Sequence, residues 1–284
     1  MKLFLLFSFL YLFQSSLIYC QVYSEKDVEI CNSKFNLSEN THLKSKPIGD
    51  VIASIGKSFI GTDYKASTLE KEGAENLVIN LTGLDCTTFL EYALVFSRLI
   101  KTDSITFNNF LSDLKFIRYR NGIINSYTSR LHYFSDWIYD NVKKKVVKDI
   151  TKDLGGIPIK FQLSYMSGHP GQYKQLKENP VFIPTIKSQE DSINTRTYFY
   201  IPKNKVYSVE AKLKEGDLIA FTTSVKGLDI GHVGIAVKEK DGRIHLLHAP
   251  QPDTKVQITK YPLADYILSL NKDTGIIVLR ALEH

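Results

Sequence analysis

The sequence predicts an α+β fold in which a helical first half packs against an antiparallel sheet formed by the second half. Two observations indicate this division. Apolar residues recur at helical spacing through the first half, whereas short β-rich runs separated by glycine, proline and charged residues follow from Gly155. Because the helices come first and the strands second, mutual packing of the two halves favours one domain over two.

Composition supports a folded chain and excludes several classes of protein. Of the 284 residues, 43% are hydrophobic and 12% aromatic, which is enough for a large core and excludes disordered and fibrous proteins. The net charge is +6, but 36 basic residues are spread among 30 acidic ones. Nucleic-acid binders usually concentrate their basic residues, so we expect no nucleic-acid partner. We expect a monomer.

Residues 1–20 have the layout of a secretory signal peptide. Lys2 precedes an apolar stretch, and small or polar residues follow before Cys20 and Gln21. This stretch is too short for a transmembrane helix, and no later segment has the ~20 apolar residues that one needs. We therefore expect export with cleavage after Cys20. Cleavage before Cys20 would instead produce a lipid-anchored N-terminus, although Tyr19 fits that alternative badly.

The remaining elements follow in order along the chain. Residues 21–46 form a polar leader, and the main domain spans 47–284. Helices are predicted from apolar spacing at 47–60, 84–100, 106–117 and 129–142. Strands are predicted at 157–163, 197–201, 217–222, 232–237, 243–248, 255–259 and 275–279. The stretch 168–194 lacks a clear period and contains three prolines, so it is predicted as a long loop or insertion.

Two cysteines remain after the signal segment, Cys31 and Cys86. Export permits a disulfide between them, but one can equally be left as a free thiol. Cys31 lies in a polar stretch and is predicted at the surface. Cys86 lies at the predicted N-terminus of an apolar helix, with Asp85 as a plausible cap. The helix dipole and the unpaired amide groups there favour a thiolate, which is the nucleophilic form of cysteine.

Two histidines are candidates to act with this thiol. His232 opens a β-rich run beside two glycines, and His248 ends the next run. Asp241-Gly242 between the runs indicates a hairpin in which residues facing each other have numbers that sum to about 483. His248 would then lie near His232 and could orient its imidazole, and we expect Cys86 to approach the other nitrogen, within ~3–4 Å. We also expect the helix N-terminus to abut the sheet face that carries His232.

Each residue also has an ordinary structural interpretation. A helical cysteine is usually a small core residue, and a histidine at a strand end is usually a hydrogen-bonded structural group. His245 and His248 could offer two metal ligands. Residues three apart in a strand point to opposite faces, however, so we expect no metal site and place His245 towards solvent.

Taken together and in this order, these residues resemble the NlpC-type papain-like amidase and endopeptidase superfamily, whose members cut amide bonds in bacterial peptidoglycan. Asp85-Cys86 heads a helix, a strand begins at His232, and His248 ends the next strand. Segments 83–91, 129–137 and 227–234 are most similar to the N-acetylmuramoyl-L-alanine amidase-like branch of exported bacterial proteins. The resemblance spans roughly residues 47–280 and implies a papain-like fold with a helical insertion.

The resemblance implies roles for individual residues. Cys86 would be the nucleophile, His232 the base and His248 the residue that orients it. Tyr64 matches a superfamily tyrosine that binds the oxyanion together with the Cys86 backbone N–H. Contact with substrate is assigned to Asp85, Arg130, His132, Tyr133 and Asp229, although Arg130, His132 and Tyr133 are equally compatible with helix packing and a surface charge.

The chain departs from the superfamily pattern in two ways. Thr87-Thr88 follows the cysteine where Ser and Gly are usual, and the interval from Cys86 to His232 is much longer than in compact members. The inserted helices are expected to build a deeper and more selective cleft.

The function implied is that of a periplasmic cysteine amidase that cuts between N-acetylmuramic acid and L-alanine in peptidoglycan fragments, without metal or organic cofactor. One alternative is an endopeptidase that cuts the stem peptide after D-glutamate. The other is a non-catalytic cell-wall-binding protein, which has no need of the complete Cys86, His232 and His248 set.

Overall fold

The computed structural model describes residues 21–251 and 254–283. The predicted signal peptide at 1–20, with Cys20 and its lipid-anchor alternative, lies outside these residues. No helix of the described ranges is long and apolar enough to cross a membrane.

The described α-helices are bounded as follows: α1 Glu25–Asn40, α2 Ile48–Lys57, α3 Cys86–Thr102, α4 Phe107–Arg118, α5 Phe134–Lys143, α6 Tyr165–Gly168, α7 Lys174–Glu178, α8 Ile183–Asn194, α9 Val206–Glu210 and α10 Leu263–Leu268. The strands are β1 Gln21–Val22, β2 Asp63–Tyr64, β3 Leu77–Val78, β4 Gly83–Leu84, β5 Val147–Asp149, β6 Ile157–Ile159, β7 Tyr198–Pro202, β8 Leu218–Thr223, β9 Ile230–Lys238, β10 Ile244–His248, β11 Gln257–Ile258 and β12 Asp273–Ala281.

One large sheet organises the second half of the chain. Its strands run in the order β11-β10-β9-β8-β12-β7-β6, and β5 also pairs with β12. The pairs within it are antiparallel. With helices α1 to α5 in the first half, this arrangement confirms the predicted mixed α+β class.

An apolar cluster covers each face of the sheet, so the side chains of its central strands are buried on both faces. Val233 and Ile235 of β9 pack on one face with Phe89 of α3 and the other N-terminal helices. Phe221 of β8 lies on the other face, in a cluster that α9 and α10 complete. Alternation along the strands assigns neighbouring residues to opposite faces. The position of a residue along its strand therefore decides which face of the sheet its side chain occupies, and so whether it can contribute to a site there.

The predicted helices of the first half are confirmed, with one late start. Thr106 caps α4 through a hydrogen bond from the Asn109 N–H to its hydroxyl (3.1 Å). The helix predicted over 129–142 begins only at Phe134. Tyr119 and Arg130 form a β-bridge, which keeps the backbone before α5 extended.

The prediction of a long loop at 168–194 is wrong, because most of this stretch forms short helices and α8. Ile186, Glu190 and Ile193 lie at helical spacing and form the buried side of α8. Pro180 opens a 3₁₀ helix, Pro180–Phe182, and Pro184 falls in the first turn of α8, positions where a proline costs no hydrogen bond. Proline therefore marks helix starts here and does not indicate a loop.

The polar leader folds into the domain as α1, and the surface position predicted for Cys31 is wrong. Ser24 and Asp27 form a capping box at the start of α1. Cys31 and Phe35 are buried on one side of the helix, and Asp27 accepts a hydrogen bond from the Leu81 N–H (2.6 Å). Because only a narrow side of this largely polar helix is buried, the apolar periodicity in its sequence is too weak to predict the helix or the burial of Cys31. Cys31 and Cys86 are both free cysteines.

Candidate active site

Cys86 is placed by the capped start of α3. The Asp85 carboxylate accepts a hydrogen bond from the Thr88 N–H (2.8 Å), and the Asp85 N–H donates to the Thr88 hydroxyl (3.0 Å). This capping box fixes the entry of the chain into the helix. It also explains one departure from the superfamily pattern, since Thr88 is the partner that completes the cap.

The Cys86 thiol is neutral in this environment, which corrects the expectation of a thiolate. Burial and, after it, the negative charge of Asp85 raise its pKa to about 11, although hydrogen bonds from the Val233 and Thr87 backbones act in the opposite direction. Desolvation disfavours a charged thiolate more than the helix terminus stabilises it. The thiol must therefore lose its proton during the reaction.

The two predicted histidines are in direct contact. His232 Nε2 lies 2.7 Å from His248 Nδ1. Burial lowers the pKa of His232 to about 4, and burial together with the neighbouring His232 lowers that of His248 to about 3. Both rings are therefore neutral near pH 7, and one ring donates its N–H to the other.

The hairpin register differs by one residue from the predicted alignment. Leu247 of β10 lies opposite Ile235 of β9, and the connection runs from Glu239 to Arg243. This register puts His232 and His248 on the same face as diagonal neighbours, whereas the predicted alignment would have separated them by face. The contact between the histidines thus follows from a connection that is longer than the two-residue turn predicted at Asp241-Gly242.

The expectation that α3 abuts the face bearing His232 is not met. His232 pairs with Phe221 and contacts its ring, with centroids 5.9 Å apart, whereas the neighbouring Val233 faces the cluster that contains α3. Gly231 lies in an irregularity of the β8–β9 pairing, immediately before His232. Cys86 and His232 nevertheless line one cavity.

This first cavity has a volume of about 190 Å³ and opens on the start of α3 and the start of β9. Among the described residues Cys86 Sγ has a hydrogen-bond contact with the Thr87 hydroxyl (4.0 Å) and has none with the His232 ring. Catalytic hydrogen bonds are often long in unliganded sites and shorten when substrate binds. The other lining residues are Glu70, Thr87, Tyr127, Leu131, His132, Tyr133, Phe134, Met166, Tyr173, Leu228, Asp229, Ile230, Gly231 and Val233.

Tyr64 lies beside the cysteine because β2 pairs with β4. Tyr64 is in register with Leu84, two residues before Cys86. Burial, with a smaller contribution from the negative charge of Asp85, raises the pKa of Tyr64 to about 12. The phenol therefore stays protonated at neutral pH and can donate a hydrogen bond near the thiol.

His245 does not face solvent, and that prediction is wrong. The residue is 5% exposed, its Nδ1 lies 2.7 Å from the Thr259 carbonyl, and its Nε2 lies 3.0 Å from the Asp241 carboxylate. These partners hold it away from the His232–His248 pair, as alternation along β10 requires. The described residues contain no cluster of three or more histidine, cysteine or acidic side chains arranged to hold a metal ion.

Two of the proposed substrate contacts are carboxylates with structural partners. Asp229 is buried and accepts hydrogen bonds from the backbone N–H groups of Ser135 and Ile230, both at 2.7 Å. Burial raises its pKa. Asp229 lines the first cavity, whereas Asp85 lines a second one. Asp229 joins the start of α5 to the start of β9 and so shapes the cavity wall.

Arg130 is a buried residue and carries no surface charge, contrary to one of the interpretations left open. It is 5% exposed, and its guanidinium contacts the Glu70 carboxylate at 2.6 Å and the Glu75 carboxylate at 3.4 Å. His132 stays neutral, because burial and then the charge of Arg130 lower its pKa well below the usual value. Its Nε2 lies 2.8 Å from the Tyr127 carbonyl, which leaves Nδ1 as an acceptor.

Tyr133 joins the cavity to α8. Its hydroxyl donates to Glu190 (2.7 Å) and accepts from the Met166 N–H (3.0 Å). Glu190 is fully buried and also accepts a hydrogen bond from the Ser167 N–H (3.0 Å). Tyr133 therefore anchors α8, within the stretch 168–194 predicted as a loop, and α6, which supplies Met166 to the cavity.

A second cavity of about 310 Å³ adjoins the first and shares Glu70, Thr87, Leu131, His132 and Tyr173 with it. Its remaining lining residues are Ser67, Leu69, Asp85, Glu91, Arg118, Arg130 and Gln172. Sequence reasoning missed Glu70, Arg118, Tyr127 and Tyr173, because they come from separate elements and no local motif joins them. The cleft thus has two compartments on either side of Thr87 and His132.

The geometry can be compared with known proteins. A sequence model of the AmiA-like family, described as N-acetylmuramoyl-L-alanine amidase-like, matches residues 54–276. No curated protein matches the chain. The fold is similar to the crystal structure of an N-acetylmuramoyl-L-alanine amidase from Bacteroides uniformis ATCC 8492, with a TM-score of 0.75 and 39% identity over 83% of this chain and 99% of that one.

Two other crystal structures extend the comparison. A Bacteroides fragilis protein, provisionally named a xylanase, has a TM-score of 0.76 and 41% identity over 80% of this chain and 99% of that one. Protein LPG0564 from Legionella pneumophila has a TM-score of 0.67 and covers 91% of this chain and 97% of its own. At 21% identity, that likeness concerns the fold alone.

Proposed function

The chain belongs to the AmiA-like family of N-acetylmuramoyl-L-alanine amidase-like proteins, and from this membership we propose that it cuts the amide bond between N-acetylmuramic acid and L-alanine in peptidoglycan fragments. It is a hydrolase. The observation that carries the cysteine mechanism is the shared cavity, whose wall contains both Cys86, at a capped helix N-terminus, and His232, which is held by a second histidine. The same arrangement supports placement in the NlpC-type papain-like superfamily.

The tautomers of the two histidines follow from the proposed role of His232. A neutral imidazole has one N–H, so a ring that accepts the thiol proton at Nδ1 must carry its own proton at Nε2. His232 Nε2–H then donates to His248 Nδ1 across the 2.7 Å contact. His248 therefore fixes the ring orientation and tautomer of His232, as the third member of a catalytic triad does.

The reaction begins with a neutral thiol. As the Cys86 sulfur attacks the lactyl carbonyl carbon, its proton passes to His232 Nδ1, and a C–S bond forms. The oxygen of the tetrahedral intermediate accepts hydrogen bonds from the Cys86 N–H and the Tyr64 hydroxyl, whose raised pKa keeps it a donor. His232 returns the proton to the alanine nitrogen, the C–N bond breaks, and the peptide amine leaves.

Hydrolysis of the thioester completes the cycle. Neutral His232 takes a proton from water, whose oxygen attacks the thioester carbonyl carbon. The C–S bond then breaks, the muramic acid leaves as a carboxylic acid, and Cys86 regains its proton from His232. Protons and electrons balance with water as the only co-reactant.

We further propose that the protein is exported and acts on fragments in the periplasm, with residues 1–20 as its signal and the domain, which includes α1, following that signal. The layout of Lys2, the apolar stretch and the residues before Cys20 supports this proposal. N-terminal sequencing of protein secreted from its host identifies the first residue, Gln21 for plain secretion and a blocked Cys20 for a lipid anchor.

Product analysis tests the function. We expect N-acetylmuramoyl-L-alanyl-D-isoglutamine to yield N-acetylmuramic acid and the free dipeptide, identified by mass. Cys86→Ala should abolish release, because no other group supplies the thioester. Cys31→Ala is the matched control, since Cys31 is a buried free thiol in α1. It should lower stability by about 1–2 kcal/mol and leave turnover unchanged.

Other outcomes identify the alternatives. Cleavage of longer stem peptides after D-glutamate, with the muramoyl amide left intact, would indicate the endopeptidase. Binding without products from either substrate would indicate a cell-wall-binding protein. Loss of activity in chelator that zinc restores would contradict the cofactor-free mechanism.

A further inference from the structure

Two further aromatic rings enclose the histidine pair on the face of the sheet opposite α3. Phe221 of β8 contacts His232, with ring centroids 5.9 Å apart, and Tyr266 of α10 contacts His248 at 5.6 Å. Phe221 and Tyr266 also contact each other at 6.2 Å, and the two imidazoles lie 5.0 Å apart. The four rings therefore form a closed group, which we call the ring cluster. Only two of its members take part in the proposed reaction.

Strand register and helical spacing bring these rings together. Phe221 and His232 lie opposite each other in the β8–β9 pairing, so their side chains take the same face of the sheet. His248 ends β10 on that face, as the diagonal neighbour of His232. Tyr266 lies three residues after Leu263, a buried residue of α10, and so falls beside it on the side of the helix that packs on the sheet. The ring cluster therefore depends on the docking of α10.

The two histidines differ in their access to water. His232 lines the first cavity and is partly exposed. His248 is 2% exposed and is not among the residues that line this cavity. Tyr266 packs on His248 and is itself partly exposed, so its ring separates His248 from the solvent on the α10 side. Removal of this ring would open the buried member of the pair to water.

Exclusion of water, and not a neighbouring ion, keeps the pair neutral. Burial lowers the pKa of His232, and burial followed by the neighbouring His232 lowers that of His248. Titratable groups around the pair are Tyr266, with Asp273 and Lys203 beyond it, and on the cavity wall Glu70, Cys86, His132, Asp229 and three tyrosines. Burial, followed by Asp273, raises the pKa of Tyr266, so the phenol is also uncharged at neutral pH.

We propose that Tyr266 is a positioning residue for His248: its ring excludes water from the histidine pair and holds the His248 imidazole against His232. This inference rests on the proposed function, in which His248 fixes the tautomer of His232. Phe221 covers the other imidazole, but it is fully buried within the sheet. Tyr266 lies at the margin of the core, so its replacement disturbs the fold less and isolates the effect on the pair.

The pH profile of kcat/KM for N-acetylmuramoyl-L-alanyl-D-isoglutamine separates positioning from a structural role. Tyr266→Ala should lower kcat at neutral pH roughly tenfold or more, because the His248 ring is no longer held in place. It should also move the acid-side fall of kcat/KM upwards by about one pH unit or more, because water reaches the pair. Tyr266→Phe keeps the ring and should restore the wild-type profile.

Ile267→Ala is the matched control. Ile267 follows Tyr266 on α10 and is fully buried in the same apolar cluster, where it is not one of the four rings. The variant should lower stability in urea at least as much as Tyr266→Ala, yet leave kcat within about twofold and the pH profile in place. A profile that does not move in Tyr266→Ala, or that moves equally in Ile267→Ala, would overturn the proposal.

A second substitution covers the case in which Tyr266→Ala does not fold. Tyr266→Leu keeps much of the apolar volume but lacks the flat ring that contacts His248. It should move the acid-side fall in the same direction by a smaller amount. A folded Tyr266→Leu variant with the wild-type profile and kcat would contradict the positioning role.

NMR titration of the histidine rings in Cys86→Ala separates this inference from the proposed function. The His232 and His248 signals should titrate at higher pH when Cys86→Ala is combined with Tyr266→Ala than in Cys86→Ala alone. If the wild type releases no N-acetylmuramic acid but this difference persists, the proposed function fails and the role of Tyr266 in shielding the pair stands. If the wild type hydrolyses the substrate and the two titrations coincide, the positioning role fails alone.

Discussion

At the scale of single residues, hydrogen-bond partners decide which histidine takes part in chemistry. His245 and His248 lie on one strand and are both buried. The partners of His245 are Asp241 and the Thr259 carbonyl, so its ring is held in a structural network. The partner of His248 is the imidazole of His232, which lines the cavity with Cys86.

Matched substitutions on this strand should separate the two roles. His248→Ala should lower kcat by roughly 10²–10⁴-fold, because His232 loses the group that fixes its tautomer. His245→Ala should leave kcat within about twofold and lower the free energy of unfolding by ~1–3 kcal/mol, since one buried and one partly buried hydrogen bond are lost. Steady-state kinetics and urea unfolding measure both effects. A similar loss of kcat in both variants would contradict the assignment of His248.

In the pH profile of kcat/KM, activity should fall on the acid side at a pH well below the ordinary pKa of histidine. His232 acts as a base only when neutral, and burial lowers its pKa to about 4. We therefore expect kcat/KM to stay level down to about pH 5 and to fall below it as His232 becomes protonated. A limb centred near pH 6.5, the ordinary histidine pKa, would contradict this environment.

Acid unfolding must be separated from this titration. The pKa values of His232 and His248 are both lowered in the folded state. Their contribution to stability is therefore complete above the unfolded pKa of about 6.5 and is lost as pH falls towards about 4. Recovery of full activity when samples return from acid to pH 7 shows that protonation, and not irreversible unfolding, causes the loss.

At the scale of elements, the start of α3 combines a cap with a charge that opposes catalysis. Asp85 satisfies the Thr88 N–H, but its negative charge also raises the pKa of Cys86, after burial. The same carboxylate thus stabilises the helix and keeps the neighbouring thiol protonated. A neutral cap would retain the first effect and remove the second.

Asp85→Asn should speed the alkylation of Cys86 by iodoacetamide at pH 8, because the thiol pKa falls while the side-chain oxygen still caps α3. Stability should change by only a few tenths of a kcal/mol. Thr106→Ala removes the cap of α4 and is the control, with a loss of about 1 kcal/mol and an unchanged alkylation rate. Unaltered alkylation in Asp85→Asn would show that the Asp85 charge does not act on the thiol.

The elements differ in how far local sequence determines them. The capped apolar helix beginning at Cys86 and the strands around Asp241-Gly242 were predictable, because periodicity and turn residues are local signals. The burial of Cys31 was not, since its helix is polar apart from a narrow stripe. The second cavity, of about 310 Å³, could not be predicted from local sequence either, because Glu70 and Arg118 come together only through tertiary packing.

At the scale of the whole molecule, buried aromatic hydroxyls make stability sensitive to alkali. Burial is the first cause of the raised pKa of eight tyrosines: Tyr64, Tyr92, Tyr119, Tyr127, Tyr133, Tyr173, Tyr198 and Tyr266. Burial also raises the pKa of Cys31 to about 12. Lys34 and Lys144 act in the opposite direction, since burial lowers the pKa of both, that of Lys34 to about 8.

The sign of the effect follows from proton binding. A tyrosine whose pKa is raised by folding keeps its proton in the native state, whereas the unfolded chain releases it near pH 10. The stability that these groups contribute is therefore complete below about pH 10 and is lost as pH rises above it. Eight tyrosines and Cys31 outnumber Lys34 and Lys144, so the folded state should lose stability steeply in alkali.

Urea unfolding at pH 8, 9.5 and 11 measures this loss, and Tyr127→Phe isolates the contribution of one tyrosine. The Tyr127 hydroxyl is buried and has no hydrogen-bond partner among the described residues, so its removal sacrifices no such bond. We expect near-equal stability of variant and wild type at pH 8 and a variant more stable at pH 11, by up to ~1.4 kcal/mol per pH unit above pH 10. Tyr207→Phe, at a residue 70% exposed, should show no such gain. A gain of the same size in both variants would contradict burial as the cause.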